Sequence, residues 1–443
     1  MDIRMGDKIK IKNQARIGAK DETRNKFAEY IIVISSLLYY IDIFIISSIA
    51  GSRTVRLQDL ASLLAFTVIF YIIKTQGKDD QGYKNTVFLM AIFLLYVSVS
   101  NMFFYFKGDI DATTIFYIVK EVEFYTCFLM ISYFFKNYLK GVYRITQLLM
   151  IFICIYGFYQ VVTGHISYYG IGTIFERAPS ISGSIYLVSS VLSFYLYRVF
   201  RDRNFKIYAF LTYLLTIFTI SKTNIIGLTL FYMCFFALQL GHTFLATKRR
   251  GFTVNTRRIL IVLAFVISLS LVFIIGFNNA KISSFISENN TFSRIIGRFG
   301  RLDSSYAFRS NKAHYYLEYF IGDSPMAVLF GRGKGITEYA FNVRTLAVDN
   351  QFTRAIIEVG LVGIIIWTSV IASMVLALAR SENRFSYHLV ISLFVGYLAM
   401  GVGYEVFVVT KTGIVFWFLL GVFSSNSKAK DYAVDGVENT ESR

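Results

Sequence analysis

Asp349, Asn350, Gln351, Arg354 and Glu358 fall together in VDNQFTRAIIEVGLVG (348–363), a stretch whose second half is apolar. On a helix, positions 350, 354 and 358 form one stripe with 351 beside it, a polar face about 12 Å long at 1.5 Å rise per residue. Lipid cannot satisfy such a face, so it must meet a hydrated cavity or another part of the chain. The residue types suit proton transfer beside an anion. A carboxylate such as Asp349 can take the proton of an attacking hydroxyl. Arg354 offers permanent positive charge with forked donors that match phosphate oxygens, or pairs with Glu358 one turn on. Asp349 has a competing structural role as N-cap of the helix that follows.

These groups need a membrane-embedded frame to position them. The 443-residue chain is 55% hydrophobic with mean hydropathy +0.53, and it holds 44 Phe, 31 Tyr and two Pro. That excludes a soluble class: a hydrocarbon core of about 30 Å takes about 20 apolar residues per helix, and such runs recur along nearly the whole chain. The expected fold class is an all-α polytopic bundle with spans at 28–50, 57–74, 86–106, 113–136, 144–163, 181–200, 206–220, 223–242, 258–277, 353–379, 387–403 and 407–423. The net charge of +17 serves topology before it serves any nucleic acid, and no nucleic-acid partner is expected.

The basic residues sort by side. Eight Lys/Arg between Arg4 and Lys26 place the tail 1–26 in the cytoplasm. The even-numbered connections agree, with Lys74, Lys78 and Lys84; Lys136, Lys140 and Arg144; Arg198, Arg201, Arg203 and Lys206; Lys248 to Arg250 with Arg257 and Arg258; and Arg380 and Arg384. Both termini are therefore expected inside, with helices 1–9 over 27–277, an outward segment over 278–352, helices 10–12 over 353–423 and a disordered tail over 424–443. The first span is too long for a signal-peptide core and is read as retained. Cys127, Cys154 and Cys234 form no metal or disulfide pattern.

Three outward features can do chemistry. The segment 278–352 carries nine Lys/Arg against six Asp/Glu, including Arg298, Arg301, Arg309 and Arg332. Within it, YAFRSNKAHYYLEYF (306–320) has the pattern of an interfacial amphipathic helix, and GDSPMAVLFGRGKG (322–335) ends in a glycine-punctuated basic loop. GRGKG lacks the spacing of a nucleotide-binding loop; Gly331, Gly333 and Gly335 serve either an ordinary tight turn or close backbone approach to an anion beside Arg332 and Lys334. The second feature is Arg177 in FERAPSISGS (175–184), either snorkelling at the interface or binding an anion. The third is the polar break TISKTN (219–224) around Lys222, which is also a simple helix hairpin. Inside the spans, Lys120 and Glu123 are expected to pair three residues apart, while Glu405 is a candidate cavity residue.

The order of these pieces is what resembles a family: Arg177 before a small-residue helix start, a basic break at 219–224, LFGRGKG in a long outward loop, then Asp349-Asn350 and EVGLVG opening a helix. It resembles the O-antigen ligase and O-antigen (Wzy-type) polymerase superfamily over about 170–425. Two positions depart from the ligase pattern. Asp349 stands where ligases carry His, and Ser221-Lys222 stands for the usual Ser-Arg; both favour a polymerase, and His314 lies too far upstream to replace the histidine.

The resemblance implies a GT-C-like bundle, the bacterial cytoplasmic membrane and a metal-independent glycosyltransferase without cofactor. Such an enzyme joins undecaprenyl-diphosphate-linked oligosaccharides, donor and acceptor alike, on the outer face. A chain-length regulator and a flippase are its implied partners. On that reading Arg177, Arg298, Arg301, Arg309, Arg332 and Arg354 are candidates for the diphosphate. Asp349 is the candidate base or acceptor ligand, with Lys222, Asn350, Glu358 and Glu405 lining or supporting the cavity. A ligase, or a flippase for the same lipid-linked saccharide, is the alternative.

Overall fold

The computed structural model describes residues 26–44, 57–76, 80–108, 110, 114–163, 179–219, 221–250, 312–322, 324–339, 350–380, 384–402, 406–407 and 410–425. Among them every regular element is helical: α1 (Lys26–Phe44), α2 (Leu57–Phe66), α3 (Ile69–Gln76), α4 (Gln81–Lys107), α5 (Ile115–Val162), α6 (Pro179–Phe200) and α7 (Arg203–Phe218) come first. They are followed by α8 (Lys222–Arg250), α9 (312–320), α10 (Pro325–Phe330), α11 (Ile336–Tyr339), α12 (Gln351–Arg380), α13 (Arg384–Gly401) and α14 (Thr410–Ser424). Six of these are long and apolar enough to cross a membrane, or seven if α2 and α3, bent by 63° at their junction, form one span. The protein is thus a helical membrane protein.

Helix covers part or all of every span drawn from the sequence except 258–277, which lies outside the described residues along with 1–25 and 426–443. Two spans differ in form. The expected loop between 136 and 144 is helical: α5 runs through it for 48 residues, about 70 Å if straight, and departs from helical φ/ψ only at Tyr138. Charged residues do not break a helix, and this stretch has no proline. The expected span 57–74 is the bent pair α2–α3, where Thr67 and Val68 form a turn closed by bonds to Leu64 and Ala65 carbonyls.

Local signals set the ends of several helices. The Asp80 carboxylate accepts from Tyr83 N at 3.0 Å to cap α4, whose other end closes at Gly108 with φ 77°. Asp202 caps α7 in the same way through Asn204 N. At the centre of the bundle sits α14, buried on all sides and packed along α5, as a short helix apolar all round should be. Trp417 meets the Tyr125 ring edge-on at 4.8 Å, and Gly413 and Gly421 let α14 close on Phe124, Phe128 and Ile131. Around this hub α12 lies along α4, α13 along α8 and α6 along α7.

Candidate functional site

The site begins where α12 breaks. Gly360, nine residues into that helix, has φ 64° and ψ −177°, a region that only glycine occupies. Helical hydrogen bonds cannot cross such a residue, so the preceding carbonyls need donors from elsewhere. The glycine-punctuated loop supplies them: Arg332 N donates to Ile357 O at 2.7 Å and Gly333 N to Glu358 O at 3.1 Å. The next carbonyl, Val359 O, takes the Tyr96 hydroxyl of α4 at 2.8 Å, which also reaches Phe330 O at 3.0 Å. Gly331, with φ 73° and ψ −164°, approaches so closely that a Cβ there would lie 2.5 Å from Glu358 O. Loop and broken helix therefore lock backbone to backbone.

The loop is fixed from its other side as well. Asn101 of α4 clamps the Lys334 backbone twice, accepting from its N–H at 2.8 Å and donating to its carbonyl at 2.9 Å. Gly333 and Gly335 flank it with φ 95° and 89°. Beneath, Tyr316 and Phe320 of α9 bury against Ala327, Ile336, Ile357 and Phe104, while Tyr315 and Tyr319 stay exposed. Asn101→Leu is expected to cost about 1–3 kcal/mol by stranding both Lys334 backbone groups. Trypsin should then cut after Arg332 or Lys334 faster in the purified protein, and an unchanged cleavage rate would show that the clamp does not hold the loop.

Two buried ion pairs lie against the docked loop. Lys334 pairs with Glu121 of α5, the side chains being 9% and 6% exposed, and its Nζ stands 5.8 Å over the Phe93 ring. Arg354 Nε donates to Glu358 Oε1 at 2.9 Å within α12, both side chains 2% exposed. The Thr337 hydroxyl donates to the same Glu358 oxygen at 2.9 Å, and the guanidinium lies 5.7 Å over Tyr117. Between the pairs opens a cavity of about 110 Å³ with Glu121, Lys334, Gln351 and Glu358 among its polar walls and Phe93, Phe352, Trp367 and Phe407 among its aromatic ones. Flat rings beside paired charges suit a ligand with apolar faces, hydroxyls and an anionic group. Among the described residues, no group of three or more His, Cys, Asp or Glu could hold a metal ion.

No protein-family model matches the chain. No curated protein matches it either.

The sequence candidates divide. Glu358 lines the cavity, and Arg354 is held behind it. Asn350 is the N-cap of α12, accepting from Phe352 N at 3.0 Å and Thr353 N at 3.1 Å, which gives it the capping position that the sequence offered to Asp349. Gln351 Oε1 accepts from Phe407 N at 3.0 Å and ties α12 to the approach of α14. Arg332 turns away, its Nε donating to Phe320 O at 2.9 Å. Lys222 opens α8 outside the cavity lining; beside it Asn224 donates to Ser221 Oγ at 2.7 Å and accepts from Ser184 at 3.2 Å, joining the second and third sequence features. Arg177, Arg298, Arg301, Arg309, Asp349 and Glu405 lie outside the described residues.

Lys120 pairs with Glu123 at 2.7 Å, as its spacing suggests, and also with Asp59 of α2 at 2.9 Å. Sequence reasoning places Glu121 inside a span beside Lys120 and Glu123 without assigning it a partner, and passes over Asn101. Each had a signal: a lone amide inside the apolar run 86–106, and a second carboxylate facing away from the Lys120–Glu123 pair.

Proposed function

We propose that the protein is a polysaccharide polymerase of the cytoplasmic membrane, with both termini inside. It joins undecaprenyl-diphosphate-linked oligosaccharide repeat units into O-antigen, capsular or exopolysaccharide chains on the outer face. The observation that carries this reading is the basic loop 331–335 docked on the Gly360 break, with Lys334, Glu121 and Glu358 around an aromatic-walled cavity. Diphosphate is a good leaving group, so the reaction needs cations at the departing oxygens more than it needs a general acid. A carboxylate takes the proton of the acceptor hydroxyl as it attacks the anomeric carbon through an oxocarbenium-like transition state. The order of motifs, which resembles that of the O-antigen polymerase and ligase superfamily, supports the same assignment.

A flippase for the same saccharide is the second reading, favoured by the interrupted helices at Gly360 and between α2 and α3. The lipid-linked saccharides of a deletion strain separate them. Single repeats accumulating on the outer face are expected; repeats trapped inside would sink the polymerase in favour of the flippase, and finished polymer left on its lipid carrier would point to a ligase. Asp349→Ala and Arg177→Ala should each leave the protein inserted while single repeats build up.

A further inference from the structure

We propose that Glu121 is the base of this site, held inactive by Lys334 until the donor diphosphate draws that lysine away; the inference rests on the polymerase reading. The two ion pairs at the cavity are not equivalent. Arg354 and Glu358 belong to one helix, and the carboxylate also takes the Thr337 hydroxyl, so that pair is committed to the frame. Lys334 and Glu121 meet across two separate elements, and both line the cavity. Asn101 fixes the Lys334 backbone, leaving only its four-carbon stem to move. The ammonium is a compact charge that can swing over the Phe93 ring, with which it already stands in contact, and reach an anion in the cavity.

An arriving diphosphate cannot settle beside a bare carboxylate without a cation between them. Lys334 is that cation. Transferring it to the diphosphate frees the Glu121 carboxylate oxygen that it occupied, at the cavity wall, to accept the hydrogen bond of the acceptor hydroxyl. The acceptor hydroxyl oxygen then bonds to the anomeric carbon, and the bond from that carbon to the diphosphate oxygen breaks. Its electron pair leaves with the diphosphate beside Lys334, and the hydroxyl proton passes to Glu121. When the lipid diphosphate departs, Glu121 releases the proton to water and Lys334 returns. The base thus becomes available only with donor bound.

The experiment uses the purified full-length protein in detergent, with lipid-linked repeat units as substrate and undecaprenyl diphosphate as the binding probe. Glu121→Gln should bind the probe at least as tightly as wild type, since a competing anion is gone, yet elongate at least ~100-fold more slowly. Lys334→Gln should weaken probe binding. The exchanged pair Glu121→Lys with Lys334→Glu decides between a chemical and a structural role: it keeps an ion pair and should melt within a few degrees of wild type, but should remain inactive. Elongation by the exchanged variant, or by Glu121→Gln within about threefold of wild type, overturns the assignment of Glu121 while leaving the polymerase standing. If the wild-type protein neither binds the probe nor elongates, both fall together.

Discussion

Gly360→Ala is expected to destabilise the protein by on the order of 3 kcal/mol and to undock the basic loop with it. Two penalties combine. The φ 64°, ψ −177° conformation is closed to alanine, and the added Cβ would sit 2.5 Å from the carbonyl oxygen of Leu329. That neighbour is backbone, as is Gly331 N on the same side, so nothing flexible can give way. Gly108→Ala is the internal control: its φ is 77°, but a Cβ there meets nothing within 4 Å, so it should cost about 1–2 kcal/mol. Melting the two variants in detergent compares them directly, and equal losses would mean that the contact between loop and break adds nothing.

The second large effect concerns Glu358. Removing it as Glu358→Ala withdraws the carboxylate from a guanidinium that is 2% exposed and is expected to cost about 3–5 kcal/mol. Arg354→Met with Glu358→Leu should recover most of that loss, because a buried pair replaced as a unit by apolar side chains is often neutral. The double variant then isolates chemistry from folding. On the polymerase reading it stays inactive in cells although its melting temperature returns, since the cavity has lost a polar wall; restored polymer would show that the pair serves packing alone.

Much of this architecture was readable before any coordinates. Apolar runs locate the helices because burial in hydrocarbon depends on composition over some twenty residues, a property of contiguous sequence. The Lys120–Glu123 and Arg354–Glu358 pairs are legible for a related reason: their spacing alone brings them together on a helix. The decisive contacts at the cavity have no such local code. Lys334 reaches Glu121 and Asn101 across more than two hundred residues, so sequence spacing says nothing of them. The motif EVGLVG likewise hides which glycine interrupts the helix. Gly363 remains helical and serves close packing on Tyr96, whereas Gly360 takes the break because Gly331 stands opposite. The helical 137–143 went unforeseen for the opposite reason, since charge fixes which side a connection faces and not whether it unwinds.

The way Gly360 is satisfied also bears on biogenesis. Bare carbonyls are costly in lipid, and the groups that cover those before Gly360 come from Arg332, Gly333 and Tyr96, all earlier in the chain. As synthesis proceeds, the partners have already emerged when the interrupted segment leaves the ribosome. Lateral release of that segment into the bilayer should therefore wait for the preceding stretch to be seated, making docking of the loop a checkpoint for insertion rather than a later embellishment.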